Sequence, residues 1–188
     1  MTPKDNNYSE DALIERPAIE LLGALGWKHE NCFHEFDESG KSSLGRDNKS
    51  DIVLISKLKP VLEKINPDVS QTAINEAIKI LTQDRSLMSM ASANRDVYDS
   101  LKNGILVSYL NNHHEQVLQR IKVIDWEHLN NNDFFLASQF WISGEMYTRR
   151  GDLIGFVNGI PLLFIELKAT HRHLQKAYDD NLRDYKST

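Results

Sequence analysis

The feature that most constrains the fold is a pair of apolar segments joined by Asn158-Gly159, within residues 149–168. An Asn-Gly pair between two such segments is the strongest short-range signal for a β-hairpin. Both segments are almost continuously apolar rather than alternating, which is typical of strands that are buried on both faces. The sequence therefore predicts strands over 152–157 and 162–168 at the centre of a sheet.

Charged residues stand at the open end of this predicted hairpin. Asp152 begins the first strand, and Glu166 and Lys168 end the second. The two ends of a hairpin lie side by side, and residues two apart on a strand point to the same face. Two neighbouring carboxylates are good ligands for Mg²⁺, and a nearby ammonium can orient an attacking water or stabilise phosphate charge. This pattern indicates metal-assisted phosphodiester hydrolysis. The alternative is that Asp152 only caps a strand and Glu166 pairs with Lys168 at a solvated sheet edge.

The length of the turn decides whether the two carboxylates share a face. A regular two-residue turn at Asn158-Gly159 places Asp152 opposite Ile165 and leaves Asp152 and Glu166 on opposite faces. A three-residue connection, or a bulge between turn and site, places Asp152 opposite Glu166. A shared metal site favours the second register, which needs either the longer connection or the bulge.

The rest of the chain predicts an α/β fold. Residues 12–27 have helical spacing, with Gly26 as a stop and Pro17 as the cause of a kink or a late start. Residues 28–50 read mainly as loop, and residues 51–55 as a short strand. Helices are predicted over 57–65, 70–82, 94–102 and 174–185. Further strands are predicted over 105–110, 117–124 and 134–142, which makes a sheet of four or more strands.

Composition indicates a single domain over residues 1–188. The chain has 188 residues, 22 basic and 27 acidic side chains, and a net charge of −5. This balance argues against binding nucleic acid through overall positive charge, although basic residues accumulate from Arg149 onward. One cysteine, a polar start and the lack of a long apolar run predict a soluble, cytoplasmic protein that does not contact a membrane. Gly40-Lys41-Ser42 is not a phosphate loop, because position 35 is Glu35 rather than glycine.

Two groups of weaker candidates are interpreted as structural. His113-His114 and the pair His171 and His173 lack spaced metal-ligand partners and are expected at the surface. Five aromatic residues could stack on bases, but their placement in predicted strands favours the core. These residues are Trp126, Phe134, Phe135, Phe140 and Trp141.

Asp152 followed by Glu166-Leu167-Lys168 resembles the PD-(D/E)xK nuclease motif, with Gly151 where that motif often has proline. The surrounding segments resemble the N-terminal nuclease domain of type I restriction enzyme R subunits, the HsdR family, over essentially the whole chain. The segments that carry this resemblance are Asn66-Pro67, residues 93–98, Asp125-Trp126, residues 132–134, residues 138–140 and residues 156–168.

The resemblance implies a restriction-endonuclease-like central mixed β-sheet flanked by helices. It also implies Mg²⁺-dependent cleavage of duplex DNA without sequence readout, with Mn²⁺ as a substitute metal. Asp152 and Glu166 would hold the metal, and Lys168 would be the catalytic lysine. The expected partners are translocase domains later in the same subunit, which alone would use ATP, and the methyltransferase and specificity subunits.

Other site residues also come from the resemblance. Many relatives of the fold add an acidic residue from the first helix, and Glu15 lies nearer the apolar stripe of that helix than Glu20 does. A Gln-xxx-Tyr element after the lysine matches Asn181 and Tyr185, which share a helix face at i and i+4. Arg172 and Lys176 are further candidate DNA contacts. Two other interpretations remain open: a non-catalytic docking domain that keeps the nuclease fold, and a free-standing nuclease of the same superfamily.

Overall fold

The structure is a computed structural model that describes residues 14–110, 114–144 and 147–167. These residues form a mixed α/β fold, as predicted. The helices are α1 (Arg16–Ala24), α2 (Ile55–Ile65), α3 (Gln71–Thr82) and α4 (Met90–Asn103), with a 3₁₀ turn at Leu129–Asn131. The strands are β1 (Lys28–Asn31), β2 (Ile105–Leu110), β3 (Gln116–Ile121), β4 (Phe134–Ser143), β5 (Thr148–Val157) and β6 (Ile160–Ile165).

The chain divides into two compact units. The sheet unit comprises Met1–Ile52, Phe134–Phe156 and Pro161–Thr188. The helical unit comprises Val53–Asp133 and Val157–Ile160. Whether residues 1–188 behave as a single domain stays a prediction. Among the described residues, no helix is both long and apolar enough to cross a bilayer.

The sheet unit is built on four strands in the order β1-β4-β5-β6. Strand β1 runs parallel to β4, with Lys28 opposite Phe135 and Asn31 opposite Ser138. Strands β5 and β6 are joined by two residues and must be antiparallel, because neighbouring parallel strands need a much longer crossover connection. The predicted central mixed sheet is therefore confirmed. Strand β1 was missed, because its sequence, KHEN, is short and polar and lies at a sheet edge.

Helix α1 lies in the sheet unit and begins at Arg16, so Pro17 occupies its first turn. Proline is tolerated there because its missing N–H would have no partner within the helix. The late start predicted from Pro17 agrees with this placement. Leu21 on α1 and Leu25, the residue that follows its last, are 65% and 69% exposed. Ala18, Ile19 and Leu22 are half-buried, so the apolar stripe of α1 is only partly covered.

The helical unit packs α2 and α3 against the β2–β3 hairpin around an apolar core. Helix α3 buries Ala73, Ile74, Ala77, Ile78 and Leu81, the stripe that helical spacing predicts. The Ser70 side chain caps this helix by accepting a hydrogen bond from the Ala73 N–H at 3.2 Å. Ser89 caps α4 in the same way, so this helix begins a full turn before its predicted start at residue 94.

Two sequence predictions about strands are wrong. Residues 51–55 do not form a strand, because Ile55 already begins α2 and the preceding residues form an irregular connection. Strands β2 and β3 exist, but they form their own two-stranded antiparallel sheet instead of joining the four-stranded one. The residues of β2 pair with those of β3 along the whole strand, from Ile105 opposite Ile121 to Leu110 opposite Gln116.

The Asn158-Gly159 turn is held by contacts within the helical unit. Asn158 is fully buried at φ 53°, a left-handed conformation that asparagine tolerates better than most residues. Its Nδ2 donates to the Val123 carbonyl at 2.9 Å, and its Oδ1 accepts from the Asp133 N–H at 2.8 Å. Gly159 has φ 78°, and an added Cβ would lie 2.4 Å from the Leu54 carbonyl oxygen. This position therefore excludes any side chain.

The predicted core aromatic residues are only partly confirmed. Phe135 and Phe140 are buried, as expected. Trp126 is 59% exposed, because it follows β3 in an irregular segment and only its Nε1 is held, by donation to the Leu101 carbonyl at 3.1 Å. Trp141 is half-buried at the end of β4.

Candidate active site

Asp152 lies on β5 in the sheet unit, and its carboxylate contacts the chain just after Glu166. The Leu167 N–H donates to Asp152 Oδ2 at 2.8 Å. Asp152 is half-buried, and so is Glu166, which follows directly on the last residue of β6. The Oε2 atom of Glu166 is buried. The hairpin therefore places the Asp152 carboxylate beside the residue that adjoins Glu166.

The connection between β5 and β6 has two residues, which excludes the three-residue loop and leaves a bulge as the way to the second register. Both Asn158 and Gly159 have positive φ, as in a type I′ turn. Buried side-chain amide contacts of Asn158 favour this compact turn over a longer one. A regular continuation would place Gly155 opposite Leu162, with Leu163 on the other face.

The contacts of Gly155 do not fit a regular continuation of this hairpin. An added Cβ at Gly155 would lie 3.0 Å from the Cβ of Leu163, so the two residues share a face. This requires a shift of one residue between the turn and Gly155. Pro161 lies within that stretch, and proline in a strand is found at edges and bulges because it cannot donate a ladder hydrogen bond. If the pairing of Gly155 with Leu163 continues along both strands, Asp152 lies opposite Glu166.

Glu15 lies immediately before α1 and contacts β4 through Gln139. Gln139 Nε2 donates to Glu15 Oε2 at 3.0 Å. Gln139 has φ 56°, an uncommon value for a residue within a strand that is typical of a bulge. Gln139 therefore joins Glu15 to β4, the strand next to β5, which carries Asp152. Glu20, the alternative on α1, is exposed.

Several predicted site residues lie outside the described part of the chain. Lys168 follows the last described residue, and the predicted helix over 174–185 lies entirely beyond it. The predicted roles of these residues stay predictions. The residues concerned are Lys168, Arg172, Lys176, Asn181 and Tyr185.

Sequence reasoning did not single out a second group of potential ligands, Asp125, Glu127 and His128 in the helical unit. One ligand atom from each lies within 4.8 Å of the others. Asp125 already accepts hydrogen bonds from Asn131 Nδ2 at 2.7 Å and the His128 N–H at 3.0 Å. These bonds lower the pKa of Asp125 to about 2, Asn131 contributing most. The local geometry is therefore that of a capped turn, in which Asp125 organises the backbone.

Comparison with known proteins gives a consistent result. The family model described as "Type I restriction enzyme R protein N terminus" matches residues 7–188. The chain is 31% identical over 160 residues to the type I restriction enzyme HindI endonuclease subunit of Haemophilus influenzae, covering 82% of this chain and 14% of that protein. It is 28% identical over 181 residues to the putative MjaIXP endonuclease subunit of Methanocaldococcus jannaschii, covering 92% and 16%. The chain thus spans less than a sixth of the length of these relatives.

Proposed function

Because the chain belongs to the family of type I restriction enzyme R protein N termini, we propose that it is the metal-dependent endonuclease domain of such a subunit. It hydrolyses phosphodiester bonds of duplex DNA and reads no base sequence itself. The observation that carries this proposal is the contact between Asp152 and the Leu167 N–H, which brings one carboxylate to the segment that contains the other. The relatives' description as endonuclease subunits supports the same activity.

Asp152 and Glu166 are the proposed ligands for Mg²⁺, with Mn²⁺ as a substitute. Their donor atoms fit this metal, because hard divalent cations prefer carboxylate oxygens and two acidic residues suffice when water completes the shell. When bound, the metal supplies Lewis-acid stabilisation of phosphate charge. The N–H of Leu167 donates to Oδ2 of Asp152 and so fixes the orientation of the carboxylate that would hold the metal. Half-burial of both carboxylates limits competition from bulk water.

Other residues of this chain are proposed to assist at the same site. Lys168 supplies a positioned cation near the reacting phosphate. Glu15 adds a third carboxylate, which the hydrogen bond from Gln139 ties to β4. DNA contacts are proposed for the later residues Arg172, Lys176, Asn181 and Tyr185.

The partners follow from membership in a type I restriction system. We propose duplex DNA, translocase domains later in the same subunit, and the methyltransferase and specificity subunits. ATP is used only by the translocase domains. A cytoplasmic location fits these partners.

A docking role without catalysis is the second candidate, and one observation favours it. Leu21 and Leu25 present exposed apolar side chains at the C-terminal end of α1, where another domain of a longer subunit could pack. Docking alone does not require Asp152 beside the segment that contains Glu166. A measurement of metal binding therefore distinguishes the nuclease function from the docking function.

Titration of the chain with Mn²⁺ by calorimetry tests the nuclease function. We expect Glu166→Ala to weaken Mn²⁺ binding more than about tenfold, because it removes a ligand. Lys168→Ala should leave the affinity nearly unchanged, because a positioned cation acts on the phosphate and not on the metal.

Glu127→Ala is the matched control, because it removes a carboxylate from the Asp125, Glu127 and His128 group. It should leave the binding intact. Loss of Mn²⁺ binding in Glu127→Ala with retention in Glu166→Ala would contradict the proposed site. Equal affinity in Glu166→Ala and Lys168→Ala would contradict the division of roles.

A further inference from the structure

Aromatic and basic side chains form a cluster at one end of the four-stranded sheet, which we call the aromatic-basic patch: Phe33, Lys49, Trp141 and Arg150. The Arg150 guanidinium lies 5.5 Å from the centre of the Trp141 ring and 5.2 Å from that of Phe33. The Lys49 ammonium lies 5.0 Å from the Trp141 ring. Both cations are thus held over one indole, at distances typical of cation–π contacts.

The patch is built on strands and on an anchored loop. The Ser143 and Thr148 hydroxyls lie 2.8 Å apart, and counting from them places Trp141 directly opposite Arg150 on β4 and β5. Trp141 Nε1 donates to the Phe33 carbonyl at 3.2 Å. The Ser143 N–H donates to the Lys49 carbonyl at 3.0 Å, which fixes the loop that carries the ammonium. The side chains are therefore preorganised.

The patch lies close to the candidate active site along β5. Arg150 and Asp152 are two residues apart on this strand. Their separation along the strand is about 6.6 Å, roughly the axial rise of two nucleotides in one DNA strand. Arg150 is therefore within reach of the backbone of a DNA strand bound at Asp152.

We propose that the aromatic-basic patch binds the phosphate backbone of duplex DNA next to the site of cleavage. Guanidinium and ammonium groups are the side-chain donors that bind phosphates, and a net charge of −5 means that the chain needs such local cations to bind DNA. Phosphate contacts position a protein without reading sequence, which suits the absence of sequence readout in the proposed function. This inference rests on that proposed function and assigns the contacts that hold its substrate.

Affinity for a short duplex of mixed sequence, measured by fluorescence anisotropy in EDTA, tests the patch. The double variant Lys49→Gln with Arg150→Gln removes two proposed phosphate contacts. We expect weaker binding and a plot of log K against log salt concentration whose slope is shallower by about 1.8, since each contact contributes about 0.9. The backbone contacts of Lys49 remain, so the fold should be retained, as circular dichroism can check.

The matched control is Lys79→Gln with Lys102→Gln, which makes the same change in net charge at exposed positions of α3 and α4. Its slope should equal that of the unaltered chain. An unchanged slope in the Lys49 and Arg150 variant would overturn the proposal that the patch binds DNA. An equal loss of DNA affinity in both double variants would overturn it too. Failure of the unaltered chain to bind duplex DNA would also overturn it. EDTA removes catalysis from this experiment, so these outcomes are independent of whether Asp152 and Glu166 bind a metal.

Discussion

Replacement of Asp152 by alanine is expected to abolish DNA cleavage by an R subunit that carries this domain. The substitution removes a proposed metal ligand and the acceptor of the Leu167 N–H, so both the charge and the geometry of the site are lost. Metal stabilisation of phosphate charge contributes several kcal/mol, and the expected loss in cleavage rate is about 10³-fold or more. Linearisation of circular DNA by the assembled enzyme measures this rate.

ATP hydrolysis and translocation should continue in the Asp152→Ala enzyme, because those activities are proposed for other domains. Glu20→Ala is the matched control, since Glu20 is an exposed carboxylate on α1. It should cleave DNA at the rate of the unaltered enzyme. Unimpaired cleavage by Asp152→Ala would refute the nuclease assignment.

A buried ion pair holds the loop between β1 and α2 in the sheet unit. Arg46 and Glu35 are 5% and 3% exposed, and the guanidinium donates to the Glu35 carboxylate through Nε at 2.7 Å and also through Nη2. Arg46 Nη1 also donates to the Trp141 carbonyl at 3.1 Å. The guanidinium lies 4.0 Å from the centre of the Phe140 ring. One side chain therefore ties the loop to β4.

Arg46→Ala is expected to lower the free energy of unfolding by about 3 to 5 kcal/mol, because it leaves the Glu35 carboxylate buried without its counter-ion. Denaturation by urea measures this change. Lys79→Ala serves as the control, because Lys79 forms an exposed ion pair with Glu76. Its loss should lower the free energy of unfolding by less than about 1 kcal/mol. A loss below 1 kcal/mol for Arg46→Ala would contradict the proposed role of the buried pair.

Local sequence signals predicted most of the elements correctly. The stripe of α3, the position of the Asn158-Gly159 turn and the limits of β2 each have a strong local signal in the sequence. Such elements have strong periodicity or specific turn chemistry, and they need little information from the rest of the chain.

The structural features that the sequence did not predict depend on tertiary contacts. Strand β1 is recognisable only through its pairing with β4, more than one hundred residues away. The β2–β3 hairpin forms a separate sheet because strand patterns do not specify which sheet a strand joins. Burial of the Arg46 and Glu35 pair was likewise not predicted, because charged residues in a loop are normally solvated.

The sequence singled out two carboxylates, whose role stays a prediction, and it left open how the register between their strands is set. Asp152 and Glu166 stood out as charges at the ends of apolar strands, and the structure brings the Asp152 carboxylate to the Leu167 N–H. The turn, however, has two residues, and the shift needed to align the carboxylates lies in the strands beyond it. The contact between Gly155 and Leu163 indicates that shift, and no local sequence signal except Pro161 marks it.

A crystal structure of the chain soaked in Mn²⁺ tests the central claim most directly, because anomalous scattering locates the metal without reference to activity. We predict density between the carboxylates of Asp152 and Glu166, with both as ligands. No density there at high metal concentration, or density only at Asp125, Glu127 and His128, would contradict the proposed nuclease site.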